Sequence, residues 1–366
     1  MSYRKEMESR FLLQNEYLGD EKPVNILTPL VSVTVATYQH ENYIRECLEG
    51  ILMQNTSFHY EIIIGEDGSA DSTGKICKEY AEKYPDKIRL FLRDRKLSQY
   101  YEDDKLIGRF NGRWNRMSSR GKYIALCEGD DYWTDPLKLQ KQVAFLEANE
   151  DYGLVYTEFD RLYQNSKKIE KNCFRENLGI PPNTLEDFLI NTRFLAPVTW
   201  LFRTATLDQI NLMHKENYVV GDLPMLLIIC KDHKIGYLDE SMAVYRVLQN
   251  SASHFKDYYK EYKFDYGLFK IQMDFANAYN VHESIILKIK NKFYNYIFTA
   301  DCLLNESDLK NDAFQHLKDN NLLTIKMKCI YHLSKNKLLR NIFKTYIKSK
   351  LKFISLFEIK NKSIIR

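Results

Sequence analysis

Two hydrophobic periods interleave along the first half of the chain. Val31-Ser32-Val33-Thr34-Val35-Ala36 is a β-branched run that alternates polar and apolar positions and predicts a strand. Between Tyr43 and Gln54 the apolar positions Ile44, Cys47, Leu48, Ile51 and Leu52 recur at helical spacing. A strand over Glu61 to Gly65 follows, then a helix capped at Asp71-Ser72 and running to about Tyr84, then a strand over Ile88 to Leu92. This β-α-β-α-β order predicts a parallel, doubly wound sheet, because consecutive parallel strands need a crossover between them.

Arg93 to Arg120 breaks the pattern with a polar, Arg- and Tyr-rich stretch, and Lys122 to Cys127 restores it with another strand. Thr134-Asp135-Pro136 opens a helix carrying Leu139, Val143 and Leu146, and Gly153 to Tyr156 is a further strand. Asp160 to Asn183 reads as a polar surface excursion. Core-like patterning returns over Ala196 to Arg203, Gly221 to Cys230 and Ile235 to Val247. These patterns divide the chain into an N-terminal arm (1–30) with Phe11, Leu12, Leu13 and Leu18 as its apolar content, an α/β domain (31–255), and a basic helical region (256–366).

The 366 residues include 45% hydrophobic positions, enough for a real core. Seven widely spaced cysteines with no C-x-x-C pair suit reduced thiols in a cytoplasmic protein. With no apolar h-region behind the first charges and no apolar run of spanning length, the chain is expected to be neither secreted nor integral to a membrane. The overall charge of +4 hides an asymmetry: residues 321–366 hold twelve Lys or Arg and one acid, Glu358, so this segment carries +11 and the remainder −7.

Candidate chemistry gathers at two strand ends. Tyr60 to Gly65 runs into Glu66-Asp67-Gly68-Ser69, and Tyr123 to Cys127 runs into Glu128-Gly129-Asp130-Asp131. Open α/β sheets bind ligands at the carboxyl ends of their strands, and acidic groups there suit a hard divalent cation and a ribose. Asp and Gly are also ordinary turn residues, so a plain turn is the competing reading. No H-E-x-x-H, G-x-S-x-G or Walker P-loop occurs, which removes zinc-hydrolase, serine-hydrolase and P-loop ATPase classes.

The order of these segments, Val31 to Gln54, Glu66 to Ser69, Gly121-Lys122-Tyr123-Ile124-Ala125 and Glu128 to Trp133, resembles family 2 glycosyltransferases across about residues 31 to 255. The resemblance implies an α/β fold of GT-A type, a doubly wound, mostly parallel sheet followed by a C-terminal helical region. It implies an inverting transfer from a nucleoside diphosphate sugar to a glycan or lipid-linked hydroxyl, with Mn²⁺ or Mg²⁺ as cofactor. By similarity Asp131 is the metal ligand and Asp130 faces the ribose, while Glu128 stands where Asp is usual. Glu66 and Asp67 fall where the family recognises the base, and a carboxylate can accept from uracil N3, which favours a UDP-linked donor. Tyr38 matches the residue whose ring stacks on that base.

Asp222, in Gly221-Asp222-Leu223-Pro224, matches the general base, held ionised by the helix N-terminus; the same placement suits a plain N-cap. Tyr245-Arg246-Val247-Leu248 resembles the family's Y-R-x-H element, with Leu248 in place of the His and Arg246 as a diphosphate ligand. Arg109, Arg113 and Arg116 offer further guanidinium groups within a basic loop. A sugar-nucleotide pyrophosphorylase would need a Gly-rich loop where Thr37-Tyr38-Gln39-His40 stands; a non-catalytic sugar-nucleotide-binding subunit is permitted by Leu248.

The tail from Lys335 to Phe357 places Leu339, Ile342, Phe343, Tyr346, Ile347 and Ile354 on one helical face and Lys337, Arg340, Lys344 and Lys348 on another. Such a helix fits an anionic membrane surface, or packs on protein, as in a homodimer. No nucleic-acid-binding motif accompanies the charge.

Overall fold

A computed structural model describes residues 3–179, 183–192, 194–213, 215, 218–248, 258–304, 309–342 and 345. The chain forms two compact units, Met1–Thr184 with Phe194–Ser251, and Leu185–Arg193 with Ala252–Arg366.

Among the described residues the first unit holds eleven strands: β1 (Val31–Thr37), β2 (Tyr60–Glu66), β3 (Ile88–Leu92), β4 (Gln99–Glu102), β5 (Lys105–Arg109), β6 (Tyr123–Leu126), β7 (Tyr132–Trp133), β8 (Tyr152–Tyr163), β9 (Lys168–Glu170), β10 (Leu201–Arg203) and β11 (Lys234–Val247). The main sheet runs β3-β2-β1-β6-β10-β8-β11-β7, with β9 on β8. β3, β2, β1 and β6 are parallel, as expected, in the register Val31 to Tyr60 and Val31 to Tyr123. β10 is antiparallel to both β6 and β8, so the sheet is mixed and mostly parallel, of GT-A type.

The central strands are covered on both faces. β1 and β2 are buried almost throughout, and the apolar stripe Ile44, Cys47, Leu48 and Ile51 of helix Ile44–Leu52 is fully buried. Burial of each such side chain contributes roughly 1.5–3 kcal/mol.

Three stretches depart from the sequence expectation. Arg93 to Arg120 folds into the β4–β5 hairpin and helix Asn111–Met117. β8 continues through Asp160, because the buried carboxylates there are satisfied: Glu158 accepts from the amides of Phe174 and Arg175 and from the Tyr237 hydroxyl, and Asp160 from Lys171, Asn172 and Ser241. At the N-terminus, helix Tyr3–Phe11 packs through Tyr3 and Met7 onto Phe110 and Trp114, while Leu12, Leu13 and Leu18 are exposed.

In the second unit, helices Tyr258–Ala278, Glu283–Leu304, Leu309–Asp319 and Ile325–Ser334 assemble with the short helix Leu185–Asn191. Phe298, Cys302, Ala313, Leu317, Ile330 and Tyr331 form one core cluster, and the Phe269 and Phe293 rings stack at 3.8 Å. No described helix is long and apolar enough to cross a membrane. Phe343, Lys344, Tyr346, Ile347, Lys348 and Ile354 of the basic tail lie outside the described residues.

Candidate functional site

The site is assembled where β1, β2 and β6 end side by side. The turn after β6 hangs on β1: Cys127 N donates to Thr34 O at 3.1 Å, and Gly129 N donates to Ala36 O at 3.0 Å. Asp131 N closes the turn on Glu128 O at 2.9 Å. Glycine is required at 129 because an added Cβ would stand 2.6 Å from Thr37 Oγ1 and 2.8 Å from His40 Nδ1. A side chain there would push the acidic turn off the strand end.

Carboxylate oxygens of Glu128, Asp130 and Asp131 lie within 4.8 Å of one another. Such a group of hard oxygen donors fits Mg²⁺ or Mn²⁺, which take oxygen ligands and leave positions for substrate phosphates. Asp131 is buried, and its Oδ1 accepts from Arg246 N at 2.7 Å; burial, with Asp130 beside it, holds its carboxyl well above the usual range. Glu128 keeps an exposed surface, but protein crowds its carboxyl. Burial pushes it up to about 7, helped by Asp130 and Asp222 and opposed by Arg116. A cation would relieve this mutual repulsion, which is the physical reason to gather carboxylates at all.

Asp222 comes from a separate segment. It is the first residue of helix Asp222–Asp232, behind an N-cap at Gly221, and its Oδ1 accepts from Leu223 N at 2.8 Å. Burial outweighs that amide and raises its pKa, the reverse of the helix-terminus expectation. The structure brings it within electrostatic reach of Glu128.

Along β2 the two adjacent acids part company. Glu66 folds its own turn, accepting from Ser69 N at 2.7 Å and Gly68 N at 3.3 Å, and Gly68 supplies the left-handed φ of +69°. Asp67 is buried, pairs with Arg95 at 2.5 Å and accepts a hydrogen bond from Ser98 Oγ. Burial raises its pKa while Ser98 and Arg95 pull the other way. The same Arg95 guanidinium lies 3.3 Å over the Tyr38 ring, so Tyr38 and Asp67 meet through it. Arg95 carries no sequence signal of its own; only the fold brings it to Tyr38 and Asp67.

Arg246 lies behind the acidic turn. Its Nε donates to Asp130 O at 2.7 Å, Nη1 to Gln164 Oε1 at 2.8 Å, and Nη2 pairs with Glu46 at 2.5 Å. With Tyr43 and Tyr132 under the guanidinium, every edge of this fork is committed to protein. Leu248 is half-buried just past β11, and His254 lies outside the described residues. His40, missed in sequence, faces Thr37 Oγ1 at 3.3 Å; burial lowers its pKa against the pull of Asp130 and Asp71.

A mixed, mostly parallel sheet with an acidic turn at the switch from parallel to antiparallel strands is an arrangement of the GT-A type. Residues 32–210 match the family described as Glycosyl transferase family 2, and the chain belongs to that family. An uncharacterised protein of Mycobacterium tuberculosis (strain ATCC 25618 / H37Rv) is 32% identical over 228 residues, 59% of this chain and 58% of its own length. The chain thus spans little more than half of the mycobacterial relatives it matches. TuaG of Bacillus subtilis (strain 168), provisionally named a teichuronic acid biosynthesis glycosyltransferase, is 27% identical over 62% of this chain and 82% of its own. The crystal structure of S. aureus TarS residues 1–349 in complex with UDP-GlcNAc aligns with a TM-score of 0.55 at 18% identity, covering 87% of this chain and 92% of that one; this likeness concerns the fold.

Proposed function

We propose that this protein is an inverting, metal-dependent glycosyltransferase that moves a sugar from a UDP-linked donor to a hydroxyl of a glycan or lipid-linked acceptor. The observation that carries the reading is the group of carboxylates at the end of β6, where oxygens of Glu128, Asp130 and Asp131 lie within 4.8 Å of one another, with Asp222 acting electrostatically on Glu128. A base beside a carboxylate cluster is what displacement at a sugar carbon needs. The acceptor oxygen forms the new bond to the anomeric carbon as the bond to the diphosphate oxygen breaks, and the acceptor proton passes to Asp222. A raised carboxyl pKa suits a group that must keep that proton. Bound Mg²⁺ or Mn²⁺, held by Asp131 with Asp130 and Glu128 alongside, would neutralise charge developing on the leaving diphosphate.

Tyr38, Asp67 and Arg95 form the base end of the donor site, with Glu66 shaping the turn and Asp130 nearest the ribose. Arg246 serves as the brace that fixes Asp130 and Asp131. Teichuronic acid biosynthesis in the name of TuaG and UDP-GlcNAc in the TarS complex support a UDP-sugar donor and a surface-polysaccharide product. No Asp or Glu occurs between Asp319 and Glu358, and exposed Ile325, Leu338 and Ile342 stand among Lys326, Lys328, Lys335 and Lys337. That combination supports a cytoplasmic enzyme resting on an anionic bilayer, where lipid-linked acceptors are found.

The test is a panel of UDP- and GDP-sugars with Mn²⁺, reading nucleotide release with and without chelator. UDP release lost on chelation is expected. Leu248 favours one rival, a non-catalytic subunit; UDP binding without release from any donor establishes that rival instead.

A further inference from the structure

Helix Asn111–Met117 runs beside β1 and carries two arginines one turn apart. Arg113 is buried, with Nη1 3.4 Å from Met7 Sδ and its guanidinium over the Tyr3 ring. Arg116 lies by the end of β1: a Cβ on Gly112 would stand 3.6 Å from Arg116 Nη1 and 4.0 Å from Ala36 Cβ, two residues before Tyr38. Its Nε is shut off from solvent and has no hydrogen-bond partner among the described residues. Glu128 acts on it electrostatically, yet no ion pair joins them among the described residues.

An unpaired, desolvated donor on a cation is costly to keep and points to an acceptor supplied from outside. Arg95 is paired with Asp67 and Arg246 with Glu46, and Arg93, although its Nη2 is also buried without a partner among the described residues, is held through Nε and Nη1 by Gln14, Asn111 and Asn115. Burial lowers Arg116 only to about 10, with Arg113 adding to the effect and Glu128 opposing it, so it stays cationic at neutral pH. A dianionic diphosphate bound beside these carboxylates would leave negative charge that one divalent ion offsets only in part.

Building on the donor reading above, we propose that Arg116 receives an oxyanion of the donor, either a phosphate oxygen of the nucleoside diphosphate or the carboxylate of an acidic donor sugar. A guanidinium fork matches both groups, and Nε is the Arg116 nitrogen that is desolvated without a partner among the described residues.

Binding of uridine, UDP, UDP-glucose and UDP-glucuronate to the full chain with Mn²⁺, measured for wild type, Arg116→Met and Arg116→Lys, tests this. With phosphate as the source, Arg116→Met weakens UDP and UDP-glucose by about tenfold to a hundredfold and leaves uridine unchanged. With the sugar carboxylate as the source, only UDP-glucuronate weakens. Arg116→Lys keeps the charge without the fork and gives a several-fold loss in the same ligands, a readout that stands even where the Met variant folds poorly. Wild-type affinities in the variants overturn the inference alone, as does an equal loss for uridine. A wild type that binds none of the nucleotides overturns the donor reading and this inference together.

Discussion

Lys138→Met should stabilise the first unit and flatten its response to pH. Lys138 is fully buried; its Nζ donates to Gln142 Oε1 at 2.6 Å and lies 4.2 Å from the Trp133 ring centroid, with no ion pair among the described residues. Burial pushes its pKa down from 10.5 to about 7. Below about pH 7 both folded and unfolded chains hold the proton, and the penalty for burying the charge is constant and full. Between about 7 and 10.5 the unfolded chain still holds a proton that the folded one has shed, so stability rises with pH by about 1.4 kcal/mol per unit.

At pH 7 the penalty from such a displacement is roughly 4 kcal/mol. Methionine removes it but strands Gln142 Oε1, at a cost of about 1–3 kcal/mol. A net gain of roughly 1–3 kcal/mol at pH 7 is expected, vanishing near pH 9–10. Urea titrations at pH 6, 7.5 and 9 can be followed by tryptophan fluorescence, since Trp114, Trp133 and Trp200 all lie in the first unit. Parallel pH profiles for the two proteins, or a Met variant less stable at pH 7, refute the argument.

Asp131→Ala should abolish Mn²⁺-dependent UDP binding without unfolding the protein, and calorimetry showing unchanged affinity would sink the metal assignment. Asp222→Asn should keep donor affinity while transfer falls by at least about a hundredfold, the scale of a lost general base; near wild-type transfer makes the residue a helix-end group only. Asp67→Ala should weaken UDP more than GDP or ADP, and equal binding of all three by the wild type counts against the base assignment. Flotation with anionic vesicles should show binding that weakens with salt and weakens further on deleting residues 336–366, which spares buried Ile330 and Tyr331; full-length protein that ignores the vesicles removes the membrane from the account.

Elements with an apolar face announced themselves. The β1-to-β3 order and helix Ile44–Leu52 were legible because each buries a stripe whose period survives in the sequence. Helix Asn111–Met117 was not, since much of its buried face is polar: Asn111 Nδ2 donates to Gly65 O and Asn115 Nδ2 to Val35 O, and both carbonyl oxygens accept from Arg93. Hydrogen bonds between distant segments leave no period to read. The same holds for β8, whose inner positions Glu158 and Asp160 look like surface residues until their partners are known.

The site divides along the same line. Its carboxylates were legible because the strand pattern ends at Glu66-Asp67 and Glu128 to Asp131, and strand ends are where unpaired polar groups converge. Which acid does what was less so, because partners decide it. Glu66 spends its oxygens on its own turn and Asp67 is held by Arg95, whereas Glu128 has no bonded side-chain partner among the described residues. Arg246 shows the cost of reading a side chain by type. A guanidinium fits phosphate, but it fits Glu46 equally well, and Glu46 stands two hundred residues earlier on the helix beside the turn. Residue type limits what a group can bind; the fold, by filling some partners and leaving others open, selects among those options. On that reasoning Arg116, with its Nε edge unfilled, is a stronger candidate for a substrate oxyanion than the motif-matched Arg246.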